Sequence, residues 1–147
     1  MKEKKSLILV IDGQGGGVGK AIIERLRSAI EAKEIPPVYI RSLGTNSAAT
    51  ARMMKAGADD GATGENAIIF NAPKADYIIG AMGIVMPNAI LGELSPAMAE
   101  AIGASDGVKI LIPIDKCHTR IAMVSEGTLG QYIDKAIQIL REDLQES

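Results

Sequence analysis

The sequence predicts an α/β fold: three layers, a mostly parallel sheet of about five strands, and helices on both faces. Three observations lead there. Short apolar, β-branched runs alternate along the chain with longer stretches of helical periodicity, the pattern of strand–helix–strand units. Apolar residues make up 47% of the chain and aromatics only 3%, a core of small and branched aliphatics that suits helices laid on a buried parallel sheet. Five glycines crowd into the stretch Gly13 to Gly19, between the first apolar run and the first helical pattern.

The elements follow in order. Leu7 to Ile11 reads as a buried strand. A helix is expected from Val18 to Ala32, with Val18, Ala21, Ile22, Leu26, Ala29 and Ile30 on one face and Lys20, Glu24, Arg27 and Glu31 mostly on the other. Pro36 and Pro37 precede a second strand, Val38 to Leu43. Asn46 or Ser47 caps a second helix, which Gly57 stops. Ala58 to Gly64 is a loop with room for a short strand. Glu65 to Ala72 is read as a helix rather than a strand at Ile68–Phe70, because Asp76 to Gly80 is the better strand and needs a crossover before it. Pro87 keeps the apolar segment Gly83 to Leu94 from being one helix. Ser95-Pro96 starts a helix that ends near Gly103. Val108 to Ile114 is a buried strand, Lys116 to Arg120 a polar turn, and Ile121 to Val124 a candidate last strand. Thr128 with Gln131 matches a capping box for a final helix striped by Ile133, Ala136, Ile137, Leu140 and Leu144.

The 147 residues bound a single domain, 1–147, with 1–5 as an extended or disordered start and 145–147 as a tail. The net charge of −2 with both signs dispersed argues against broad nucleic-acid binding. The one cysteine, Cys117, cannot pair within the chain and points to a reducing compartment. The basic start at Lys2 to Lys5 is followed by too short an apolar run for a signal or a membrane span. The expectation is a cytoplasmic protein.

In parallel α/β sheets ligands sit beyond the carboxyl ends of the strands. The polar clusters of this chain fall there: Asp12 to Gly19, Gly44 to Ser47, Thr63 to Asn66, Gly80 to Asn88 and Asp115 to His118. A strand, a glycine turn and a helix start bring free amides and the helix dipole together, which makes the first cluster an anion site. Three motifs compete for it. The pattern GxxxxGK[ST] has its lysine in Lys20, but Gln14 replaces its first glycine and Ala21 its metal-binding hydroxyl. The Gly-Gly-Val-Gly-Lys run is similar to the variant P-loop of partitioning ATPases, which Ala21 breaks as well. GxGxxG fails, since its third glycine falls on Lys20 or Val18. GxxxGxG fits in full as Gly13, Gly17 and Gly19, and with the following Lys20 to Leu26 it resembles the cofactor turn of short-chain dehydrogenases. That resemblance covers about 20 residues. The Tyr-x-x-x-Lys of those enzymes is missing: four residues after Tyr39, Tyr77 and Tyr132 stand Leu43, Ala81 and Ala136. Where an acidic residue would hold an adenosine ribose, the second strand has Arg41 and Ser42. The pair would suit a 2′-phosphate, although Arg41 is expected to point to solvent from an edge position.

Several runs together resemble an uncharacterised family of short bacterial proteins, domain of unknown function 3842. They are Ile11 to Lys20, Leu43 to Ser47, Ala56 to Asp59, Gly61 to Ala67, Ala75-Asp76, Gly83 to Val85, Leu91 to Glu93, and Ile110 to Pro113 before Lys116-Cys117. The resemblance runs from Leu7 to Leu140 and implies a small Rossmann-like domain. It implies no activity and no catalytic residues.

The candidate binding set is therefore read from the residues: Asp12, Gly13, Gln14, Gly15, Gly16, Gly17, Val18, Gly19 and Lys20 in the turn, Thr45, Asn46 and Ser47 after the second strand, then Glu65, Asn66 and Lys116. Asp12 before glycine serves the turn's own N–H groups by default, with a ribose or a metal-bound water as alternatives. Glu65 and Asn66 beside Gly64 can read a sugar or base edge. Lys116 can place a charge on a phosphate. Adjacent Cys117 and His118 do not make a nucleophile–base pair. No spacing assembles a metal site from Asp12, Asp59, Asp60, Glu65 or Glu93. The Met82 to Leu91 segment is either core cover or a homodimer face, and the Met-rich apolar composition favours the homodimer.

The function expected is binding of a nucleotide or dinucleotide, NAD(P)-type foremost, at Gly13–Lys20. One alternative is a small enzyme acting on a phosphorylated metabolite, with Asp12, Glu65, Lys116 and His118 around the reacting end. The other is a non-catalytic interaction protein.

Overall fold

The computed structural model describes residues 4–114 and 118–146. Its centre is β1, Leu7–Asp12, apolar on both faces until its last residue. Leu9 and Ile11 point into one helical layer and Ile8 and Val10 into the other, all four fully buried. The chain continues as α1 (Gly17–Glu31), β2 (Tyr39–Gly44), α2 (Ser47–Ala56), β3 (Asp60–Thr63), α3 (Glu65–Asn71), β4 (Tyr77–Ala81), α4 (Pro96–Ala104), β5 (Val108–Ile112) and α5 (Leu129–Glu146). Short 3-10 turns follow α3 and β4.

The five strands form one parallel sheet in the order β3-β2-β1-β4-β5. Helices α1, α2 and α5 cover one face, where Ile22, Ile23, Leu26, Met53, Ile133 and Leu140 join the core. Helices α3 and α4 and the segment after β4 cover the other, through Ile68, Ile84, Leu94, Met98 and Ile102. The strand order reverses between β1 and β4, so the loops after these two strands diverge and leave a crevice at the carboxyl edge.

The local signals act as expected. Asn46 Oδ1 accepts the Ala49 amide at 2.9 Å and Gly57 follows the last residue of α2. Thr128 and Gln131 exchange the two bonds of a capping box, at 2.9 and 3.1 Å. Residues 65–71 are helical, and the loop before them does contain a strand.

Two expectations are corrected. Ile121–Val124 forms no strand: Ala122 and Met123 make a turn, and Met123 is fully exposed with φ 65°. A parallel neighbour for β5 needs a crossover of about a dozen residues or more, and 113–120 are too few. Arg41 is not at an edge, because β3 pairs outside β2. Its guanidinium grips Asp60 at 2.7 and 2.9 Å and also donates to Asn71 Oδ1. Ser42 is fully buried. Neither is placed to take a 2′-phosphate. In the Met82–Leu91 segment Ile84 and Ala89 are buried in the core, and of its large apolar side chains only Leu91 is exposed. Among the described residues, no helix is long and apolar enough to cross a membrane.

Asp60 fastens the edge strand to β2. The hydrogen bonds from Arg41 hold its carboxyl below the ordinary value, against a burial that pushes it up, and the Tyr39 hydroxyl adds to the lowering. A carboxylate lowered on folding stabilises fully above its unfolded pKa, and that contribution is lost as pH falls through the folded pKa. The stability gap between the wild type and Asp60→Asn is therefore expected to be widest near neutral pH. It should shrink below about pH 4. Urea unfolding of both proteins between pH 3 and 7 measures it; a gap independent of pH would show that the charge plays no part.

Candidate functional site

The glycine turn is built on Asp12. At the end of β1 its carboxylate is only 6% exposed. Oδ1 accepts the Gly13 amide at 2.8 Å and Oδ2 the Gly19 amide at 2.7 Å. One side chain thus ties the two ends of the turn, in the default role expected for Asp before glycine. Gly16 precedes α1 in the left-handed conformation, φ 77°, and its amide donates to Gly13 O at 2.9 Å.

The five glycines have two different surroundings. A Cβ on Gly13 would lie 2.7 Å from Thr45 Oγ1 and 3.1 Å from Ile90 Cγ2. One on Gly16 would lie 2.9 Å from the Ala49 backbone, and one on Gly19 would collide with Met53. These three are glycine because α2 and the loop after β4 pack on them. Gly15 and Gly17 differ: a Cβ on either would meet nothing nearer than Arg52 Nη1 at 3.8 Å, and neither has a positive φ. Packing gives no reason for these two to lack a side chain.

An open cleft of about 410 Å³ lies over this turn, lined by Asp12, residues 13–18, Ile90 and Leu129. It stands at the reversal of strand order. The amides of Gly15, Gly17 and Val18 have no acceptor among the described residues, and the last two begin α1, where the helix dipole favours an anion. On the α2 side Arg52 Nη1 approaches Gly15 O at 3.4 Å. Arg52, Lys20 and Lys55 surround a neighbouring hollow that Glu24 also lines, 3.8 Å from Lys20.

The opposite flank is acidic. Glu93 Oε1 accepts the Gln14 amide at 3.0 Å, the Thr45 hydroxyl at 2.6 Å and the Asn46 side-chain amide at 2.7 Å. The Thr45 bond foremost, then those from Gln14 and Asn46, hold its carboxyl below the ordinary value against partial burial. Asn46 also donates to Gln14 O at 2.9 Å.

The fold thus brings together Asp12 to Lys20 with Thr45 and Asn46. Ser47 is exposed at the start of α2. Glu65 and Asn66 are elsewhere. Glu65 Oε2 accepts from the Ser95 hydroxyl at 2.5 Å, tying α3 to the start of α4. Asn66 lines a different hollow with Arg41, Phe70 and Lys74. Lys116 and Cys117 lie outside the described residues. The other carboxylates weighed for a metal are engaged separately: Asp59 with Arg27 and the Ile40 amide, Asp60 with Arg41. Among the described residues, no three metal-ligating side chains converge. Sequence reasoning missed Arg52 and the rim residues Ile90 and Leu129, and took Glu93 only as a metal candidate. Arg52 becomes legible once Gly16 is known to meet Ala49 and Gly19 to meet Met53, because it lies on the same flank of α2.

The chain belongs to the family described as Domain of unknown function (DUF3842), whose model matches residues 7–145. No curated protein matches it.

The two kinds of glycine separate on substitution. Gly16→Ala, with a left-handed φ and a backbone contact, is expected to lose about 1–3 kcal/mol. Gly17→Ala, at the first helical position with open space before it, should stay within about 1 kcal/mol and lean to stabilisation. Urea denaturation of the two variants tests the contrast, and equal losses would refute the assignment.

Proposed function

We propose, for this member of a family described without an activity, that the glycine turn binds a phosphate-bearing nucleotide of the NAD(P) type. The phosphates would sit on the Gly15, Gly17 and Val18 amides with the Arg52 guanidinium beside them. The observation that carries this reading is the pair of glycines that packing does not require. A residue without a side chain, at a helix start, lets a bulky anion reach the backbone. The site's place at the reversal of strand order supports it, as do the cations of the adjoining hollow.

The enzyme reading has less behind it. It needs Asp12 and Glu65 near one reacting centre, and their hydrogen bonds run to different elements. The donors facing the cleft are backbone amides, which can hold an anion but do not exchange protons in the neutral range.

The test is calorimetry and thermal shift with NAD, NADP, ATP, GTP and coenzyme A. At least one is expected to stabilise the wild type. Gly17→Val should abolish that binding while keeping the fold, since the new side chain has room but stands where the phosphate would lie. Arg52→Ala should weaken it by roughly 10- to 100-fold, the worth of one hydrogen bond to a charged group. No shift with any of the five would overturn the proposal and leave an interaction protein as the reading.

A further inference from the structure

The segment after β4 reaches the rim of the crevice, with Ile90 lining the cleft and Ile90 and Glu93 beside Gly13. Ala89 and Leu94 anchor it in the core. Between them the backbone bonds to itself, Asn88 N to Leu94 O at 2.8 Å and Glu93 N to Ile90 O at 3.0 Å. Asn88, Ile90 and Leu91 hold left-handed φ values of 65°, 58° and 52°. That conformation is unfavourable for any side chain and most so for a β-branched one such as Ile90. Leu91 is 94% exposed. A strained loop with an exposed leucine stays where it is only if something holds it.

Glu93 supplies the hold. All three of its donors meet on Oε1, and Oε2 has none among the described residues. One donor is the Gln14 amide of the glycine turn itself. The other two, Thr45 and Asn46, follow β2. Three N–H and O–H groups converging on one negatively charged oxygen are what a bound phosphate or carboxylate oxygen would receive. Ile90 completes the cover, next to Gly13 and on the rim of the open cleft. In dinucleotide folds the ribose lies beside the first glycine and the end of the second strand, and here Ile90 and Glu93 occupy that place.

We infer that Glu93 is an internal stand-in for a ligand's anionic oxygen, and that residues 88–93 form a lid which a nucleotide displaces from Gln14, Thr45 and Asn46. The inference rests on the nucleotide-binding reading of the turn. In the closed arrangement the phosphates can reach the Gly15, Gly17 and Val18 amides, but the rest of the nucleotide needs the lid to move. Strain in the loop lowers the cost of that movement. The affinity of the site is then its intrinsic affinity reduced by the fraction of time the lid is open.

The experiment titrates NAD and ATP by calorimetry into the wild type, Glu93→Ala, Glu93→Gln and Gly17→Val. Circular dichroism checks each fold, and if Glu93→Ala does not fold, Glu93→Gln carries the comparison. Removing the latch is expected to tighten binding about tenfold in Glu93→Ala, as for a site open a tenth of the time. Glu93→Gln, which keeps an acceptor but loses the charge, should gain less. Hydrogen exchange at 88–94 should speed up when nucleotide binds the wild type. Unchanged or weaker binding in both Glu93 variants, with Gly17→Val still inactive, would overturn the lid and leave the site standing. No binding to the wild type or to either Glu93 variant would overturn both.

Discussion

The structure depends first on one buried carboxylate. Asp12 ends the central strand and takes an amide from each end of the turn that follows. A negative charge so little exposed is tolerated because it is hydrogen-bonded and lies beneath the positive end of α1. Its reach fixes where α1 starts. That start sets how closely α1 meets α2, with Gly16 against the Ala49 backbone and Gly19 against Met53. The same closeness brings Arg52 to Gly15. One side chain thereby sets the spacing of two helices and the position of the cation nearest the cleft.

Asp12 also limits what the turn can bind. A helix start offers several free amides, and this one already gives Gly19 to Asp12, while Gln14 of the same turn goes to Glu93. What is left, Gly15, Gly17 and Val18, lies between the two acids and the α2 cations. On the proposed nucleotide-binding reading, a phosphate on these amides is favoured toward Arg52 and disfavoured toward Glu93.

Much of the fold was legible in the sequence because its signals are local. Ser95-Pro96, the Thr128–Gln131 box and the Asn46 cap act within one helical turn, and each sits where the sequence put it. The candidate last strand at 121–124 was not decided locally, since a strand exists only if a neighbour is within reach. Arg41 was misread for the same reason: its environment depends on β3 pairing outside β2. The glycine turn was legible as a strand-to-helix turn but not in its parts. Spacing grouped Gly13, Gly17 and Gly19, whereas the packing groups Gly13, Gly16 and Gly19 and leaves Gly15 and Gly17 open. Contacts 30 or more residues apart, such as Gln14 with Glu93 and Gly15 with Arg52, have no periodic signature. Glu65, a polar residue beside a flexible glycine in a strand-end loop, is bonded to Ser95 and so joins two helices, a long-range contact that the loop sequence does not show.

The same contacts explain why the cleft reads as a holding site. General acid–base chemistry needs a group that can gain or lose a proton near neutral pH and is free to reach the substrate. Glu93 is driven the other way, its carboxyl lowered by the donors that hold it, so it remains an anion and an acceptor. Asp12 is committed to two backbone amides, and freeing it would undo the turn that makes the cleft. Among the described residues, backbone amides and the Arg52 guanidinium stand beside them, and neither group titrates in that range. Such a set can position a charged ligand and discriminate by where its charge lies. Among the described residues, the strained segment that carries Glu93 borders this cleft without belonging to the sheet or to α1, so the proposed lid can move while the turn itself stays in place.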